Sequence, residues 1–277
     1  MSQAVLPLAL ISLFGALYAL GERRAERMLR RSRSGRERMR SVYFYAGLLA
    51  TAVALVGPID SNADKLLWVH MVQHVLLIAV AAPLIVLGAP WMSIWRPLPL
   101  GFRRTVARTV ARSRWCAPLR SLSLLGRPIP AFVAFSVDLV VWHVPSVYDF
   151  AATHQAVHDL EHLTFVALSM LLWAQVLESP PLRLRLRNIH RVYYIVAASL
   201  VGWVISLVLI FSSTPLYPFY AHIHDRPGGI SALADQQLAG GIMLVPGSLA
   251  MTLYVFAQIY VWLGAEEREA RARLPGQ

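Results

Sequence analysis

Charge and cysteine are both scarce in this sequence. Only 15% of the 277 residues are charged, and 57% are hydrophobic. A soluble domain carries about 25% charged residues. So few charges exclude an ordinary water-facing surface over the whole molecule. One cysteine, Cys116, excludes an internal disulfide and any thiolate cluster within the chain. The first apolar run has no basic stretch ahead of it and no small-residue cleavage pattern behind it. It is expected to stay as a helix rather than be removed as a signal peptide. There is no internal repeat and no low-complexity segment.

What the sequence has instead is a series of apolar runs near the length a helix needs to cross a bilayer core, about 20 residues. They fall near 4–20, 42–57, 66–88, 129–145, 158–177, 192–212 and 231–263. The expected fold is all-α: a polytopic membrane bundle of about seven transmembrane helices in one integral membrane domain, residues 1–277. The net charge of +11 would point to nucleic acid in a soluble protein. Here the arginines occupy alternate loops. Arg23, Arg24, Arg27, Arg30, Arg31, Arg33, Arg36, Arg38 and Arg40 follow the first run. Arg103, Arg104, Arg108, Arg112, Arg114, Arg120 and Arg127 follow the third, and Arg183, Arg185, Arg187 and Arg191 the fifth. The loops between hold little more than Lys65 and Arg226. The positive-inside rule makes the Arg-rich loops cytoplasmic, which puts the N-terminus out and the C-terminus in. The partner this charge implies is the lipid bilayer, not nucleic acid. The stretch 103–114 reads either as an amphipathic helix on the inner leaflet or as a solvated basic connector. Cys116 shares that loop.

The nine histidines are unevenly placed. Only His190 maps to the cytoplasmic side. His70 and His74 lie just inside the outer end of the third run, His143 at the outer end of the fourth, and His158 and His162 at the outer start of the fifth. His154, His222 and His224 fall in outer loops, where a solvated histidine is the default. His70/His74 and His158/His162 are i, i+4 pairs, so each pair shares one helix face. The two rings of a pair are about 6 Å apart along the axis, which suits two ligands to one ion or one ligand to each of two ions. A single membrane histidine is usually a hydrogen-bonded packing residue. Two such pairs and His143 at one membrane level point instead to a metal or cofactor site in the outer half.

Imidazole suits Zn, Cu, Fe and Ni, and thioether favours Cu(I). Met71 and Met243 lie near the site but serve equally as gap-fillers. Asp235 is expected to be a ligand, an acceptor for a ligand's N–H or a helix cap. Asp138 lies mid-span with an open role. Gly240 and Gly241 would allow close helix approach. His158-Asp-Leu-Glu161-His162 also matches H-x-x-E-H, a metalloprotease pattern, but no downstream acidic ligand lies in a suitable helix, so proteolysis is set aside.

Four segments carry a family resemblance. His70-Met-Val-Gln-His74 with Ala82-Pro83-Leu84-Ile85-Val86-Leu87-Gly88-Ala89-Pro90 is the first, and Trp142-His143-Val144-Pro145-Ser146-Val147-Tyr148 the second. His158-Asp-Leu-Glu161-His162 with Trp173 is the third, and Asp235-Gln-Gln-Leu-Ala-Gly-Gly-Ile-Met243 the fourth. In order and spacing they resemble the CtaG-like assembly factors of caa3-type cytochrome c oxidase. The resemblance covers roughly 42–263 and leaves 1–41 as an extra helix and Arg-rich loop. It implies a membrane protein, not an enzyme, that helps build the oxidase, with the oxidase subunits as partners and copper delivery as its role. The expected localisation is a bacterial-type plasma membrane. The unrelated single-span copper chaperones that share the CtaG name use cysteine thiolates, which this chain lacks.

The site expected from these readings is a copper centre, Cu(I) or with zinc as the alternative ion. Its ligands would be His70, His74, His158 and His162, with His143 and Asp235 as ligands or supports. Pro83, Pro90 and Pro145 would kink or end helices and fix the histidine vectors. Three other readings stay open: a haem-binding or electron-transfer membrane protein, a copper transporter, and a metal-free assembly scaffold.

Overall fold

The computed structural model of the chain describes residues 5–30, 32–112 and 122–273. Cys116, Arg31, Arg114 and Arg120 fall outside these. The described residues form helices and no strand. We number them α1 Val5–Leu29, α2 Gly35–Leu55, α3 Pro58–Ala63, α4 Leu67–Leu87, α5 Trp91–Trp95, α6 Leu100–Arg112, α7 Pro128–Trp142, α8 Pro145–Thr153, α9 Gln155–Trp173, α10 Asn188–Phe211, α11 Pro218–Ala221, α12 Ala232–Leu244 and α13 Pro246–Arg273.

Among the described residues, five helices are long and apolar enough to cross a membrane: α1, Gly35–Ala63, α4, α10 and the continuous stretch Ala232–Gly264. A sixth is the pair α7 and α8 taken together, which bends by 75°. Pro145 opens α8, where its missing N–H breaks no helical bond, and this sets the bend. The expected span near 158–177 corresponds to α9. It does not pass the same test, because His158, Asp159, Glu161 and His162 crowd its first turns and lower its mean hydropathy.

The helix α4 is the centre of the bundle: 67% of its apolar window is buried, against 11–22% for the other spans. It does not break at Pro83. A π-helical segment, Leu76–Ala81, precedes the proline, and the Trp173 indole donates to the Ile78 carbonyl at 3.0 Å. A neighbouring helix thus satisfies a backbone group in the irregular segment, which apolar surroundings require. The helix ends at Gly88 and Ala89, the latter at φ 47°, before Pro90 caps α5. Its N-terminus is held by another helix. The Leu67 and Trp68 N–H groups donate to the Asp235 carboxylate at 3.0 Å each.

Apolar cores lie on both sides of α4. Phe135, Leu139, Phe165, Leu172, Trp173 and Ile195 form one between α7, α9 and α10. Tyr18, Phe44, Leu48 and Ile85 form another against α1 and α2. Outward-facing Ile129, Val204, Phe211, Leu253 and Phe256 are exposed, as helix faces turned to hydrocarbon must be. At one end of the bundle Arg33 and Arg96 reach Glu22, and Arg24 donates to the Pro97 carbonyl. The histidines gather away from these arginines, toward the opposite end.

Candidate metal centre

The i, i+4 spacing does what helix geometry requires. His70 and His74 on α4 face His158 and His162 on α9. The His70 and His74 Nε2 atoms are 2.8 Å apart. The ring centroids of His158 and His162 are 4.3 Å apart, His70 and His158 5.1 Å, and His74 and His162 5.5 Å. His143, at the end of α7, stands 6.2 Å from His74 on the same basis. His70, His74, His143 and His162 are all buried, and His158 is partly so. Neither i, i+4 pair alone would fix a site; two facing helices do.

The hydrogen-bond network assigns the tautomers. A carbonyl only accepts, so His143 Nδ1–H donates to the Leu139 carbonyl at 2.7 Å. Its Nε2 then carries a bare lone pair and has no partner. The Tyr220 hydroxyl donates to the Ala63 carbonyl at 2.6 Å, so it accepts from His70 Nδ1 at 3.3 Å, and His70 Nε2 is bare toward His74. Burial holds the Tyr220 hydroxyl well above the usual phenol range, so it stays a donor. His158 Nε2, His162 Nε2, His74 Nδ1 and both Glu161 oxygens are buried with no hydrogen-bond partner among the described residues. Glu161 is almost wholly enclosed, with Oε1 3.4 Å from His74 Nε2.

Buried polar atoms are nearly always satisfied, and each exception calls for an explanation. Here the exceptions converge. The ligand atoms of His70, His74 and His162 lie within 4.8 Å of one another, and so do those of His70, His158 and Glu161. Nitrogens about 2.0–2.1 Å from one ion sit about 3 Å apart, close to the His70–His74 separation. The donor set therefore fits a cation that takes imidazole.

Other residues expected at the site lie elsewhere. Asp235 is buried but engaged with the α4 N-terminus, and Arg226 Nε is 3.8 Å from its Oδ2. Of the three roles expected for it, the structure displays the cap, on a helix other than its own. Asp138 Oδ1 accepts the Trp142 indole at 2.8 Å. Met71 packs with Leu67, Tyr148, Tyr217 and Tyr220. Met243 and Met251 line a small cavity beside His74 and His143. His154 and His222 are exposed and bonded to their own helix ends, and His224 is exposed.

Two participants were not read as site residues in the sequence. Glu161 appeared in the metalloprotease-like pattern and in the third family segment, but not as a ligand. Tyr220 stands 150 positions from His70, and no spacing links them. Tyr148, which donates to Tyr220 at 3.3 Å, does fall within the second family segment.

A multi-pass helical membrane protein with a histidine–glutamate cluster sunk between its helices is the class these elements define. The chain belongs to the cytochrome c oxidase caa3 assembly factor family, whose profile matches residues 16–265. An uncharacterized protein of Mycobacterium bovis and another of Mycobacterium tuberculosis are each 24% identical to it over 263 residues. That stretch is 95% of this chain and 40% of each relative, so the chain spans less than half the length of the curated relatives it matches. No solved structure matches it.

Proposed function

We propose that the protein binds copper reversibly through His70, His74, His158 and His162, with His143 completing the set, and passes it to a cytochrome c oxidase during assembly. The crowding of buried histidine nitrogens into two ligand groups that share His70, in a chain of an oxidase assembly family, carries this reading. The role is delivery rather than catalysis. Neutral imidazoles without thiolates hold Cu(I) loosely enough to release it to a tighter site. Imidazole coordinates only when unprotonated, so binding weakens as pH falls through the histidine range. Zinc is the competing ion for the same donors.

We also propose seven spans, with α9 crossing despite its polar start, and the N-terminus outside. The arginine-rich loops support this orientation. So does the gathering of Arg24, Arg33 and Arg96 away from the histidines. A plasma membrane is the compartment that fits. Two observations favour delivery at the outer face over the other readings. The polar cavity over His70 and His158 is about 170 Å³, below the roughly 300 Å³ where cofactor-sized pockets begin, and the larger one beside His162, about 410 Å³, has no second histidine in its lining to serve as an axial ligand, which disfavours haem. Below the cluster, Phe165, Leu172, Trp173 and Val86 are fully buried and apolar, which disfavours passage of an ion to the cytoplasmic side.

The test is metal content and Cu(I) affinity of the detergent-purified protein, by competition with a chelator. Wild type is compared with the His74→Ala, His162→Ala double variant. Copper retained by wild type with moderate affinity, and lost in the variant, is the expected result. No copper in either returns the histidines to packing and leaves a metal-free scaffold.

A further inference from the structure

Two ligand sets share this cluster, and His70 belongs to both. Its Nδ1 is turned to Tyr220, so Nε2, which now shares a hydrogen bond with His74 Nε2, is the nitrogen left to face an ion. One lone pair binds one ion at a time. An ion on the His70–His158–Glu161 set therefore excludes another on the His70–His74–His162 set.

The two sets also differ in access. A polar cavity lined by Asp64, His70, Gln155, His158 and Tyr220 leads to the first set, whereas His74 and His162 border cavities that are almost wholly apolar. His158 is partly exposed, while His74 and His162 are 2% and 6% exposed. One carboxylate, Asp64, lines this cavity, and Asp60 and Asp159 stand near enough to act electrostatically on the His158 ring. Such a rim concentrates cations at an opening. The buried Glu161 belongs to the first set, and its Oε1, 3.4 Å from His74 Nε2, also borders the second. A carboxylate suits a partly hydrated ion, whereas three imidazoles suit a dehydrated soft one.

We infer that the cluster is a two-position site for a single cation, with an outer position at His70, His158 and Glu161 and an inner one at His70, His74 and His162. This rests on the metal-site reading above. The ion enters from the outer aqueous side, exchanges Glu161 and His158 for His74 and His162 while His70 stays bound, and leaves by the reverse route. Only coordination bonds form and break; no electron moves.

The prediction separates loading from holding. Removing a ligand from a one-position site speeds release and leaves loading unchanged. Removing the outer position of a two-position site slows both, because the ion crosses it in each direction. The experiment uses the full chain in detergent and Cu(I) as the probe. It is exchanged with a chromophoric chelator and followed by stopped flow. Wild type should bind one ion per chain. Glu161→Gln should slow loading and release by about tenfold or more, and His162→Ala should speed release. His158→Gln should repeat the Glu161→Gln result and serves if that variant fails to fold. Two ions per wild-type chain, or faster release with unchanged loading in Glu161→Gln, would overturn the two-position site and leave the copper centre standing. A wild type that binds no copper overturns the centre itself.

Discussion

At the scale of single residues, the interior is built from groups that hold one another in one orientation. Tyr220 is the clearest case, because its hydroxyl accepts from His70 Nδ1 while donating to Ala63. Removing that hydroxyl frees the ring to choose the other tautomer. Partners of this kind, behind the ligands, typically change metal affinity 10–100-fold when lost. Tyr220→Phe should therefore weaken Cu(I) binding by about that factor with the fold intact; an unchanged affinity would remove Tyr220 from the site. Asp235 is expected to behave in the opposite way. Asp235→Ala leaves two N–H groups at the start of α4 without their acceptor, and such a loss costs about 1–3 kcal/mol. The variant should melt at a lower temperature in detergent yet still hold copper when folded. Copper lost at an unchanged melting temperature would make Asp235 a ligand after all. The difference between these residues explains what could be read from the sequence. His70, His74, His158 and His162 announce themselves by spacing, which helix geometry converts directly into a shared face. Tyr220 and Asp235 act across 150 and 168 positions, and only the packing of the helices brings them to α4.

At the scale of helices, the apolar runs translate well because length and hydropathy are local properties. The places where the helices break or touch translate less well. Pro83 reads as a kink or an end within the run 66–88, and α4 continues through it, since the π-helical segment and the Trp173 indole accommodate the irregular backbone. Pro145 reads as a kink and is one, because nothing replaces the helix there. The paired glycines of α12 split in the same way. A Cβ on Gly240 would stand 2.8 Å from the Ser206 carbonyl oxygen and from Ile210, whereas one on Gly241 would meet nothing within 4 Å. The sequence marks both as contact residues; rotation of the helix by one residue selects the first. Gly240→Ala should push α12 off α10, and overpacking of this kind costs about 1–3 kcal/mol. Gly241→Ala should be neutral or stabilise by up to about 1 kcal/mol, through helix propensity alone. Thermal unfolding of the two variants side by side checks this; equal losses would mean that the two helices meet differently.

At the scale of the whole molecule, the questions are which way the bundle sits and whether α9 crosses. Both follow from one charge asymmetry. Arg24, Arg33 and Arg96 meet at one end of the bundle, and the positive-inside rule puts the other Arg-rich segments on that same side. Were α9 to stop short of crossing, the loop around Arg183 and Arg187 would lie on the opposite side from the loop around Arg103 and Arg104. The positive-inside rule would then fail for one of them. The sequence carries its own reporter, since Cys116 is its one thiol. A membrane-impermeant maleimide applied to intact cells should leave Cys116 unlabelled and label it once the membrane is opened. In a Cys116→Ser background, a cysteine placed at Ser61 should label from outside, and one placed at Leu184 only after opening. Labelling at Leu184 from outside would take α9 out of the membrane and reduce the spans to six. Labelling of Cys116 from outside would turn the whole bundle over. It would also put the polar cavity over His70 and His158 on the cytoplasmic side, so that copper would have to be loaded from there.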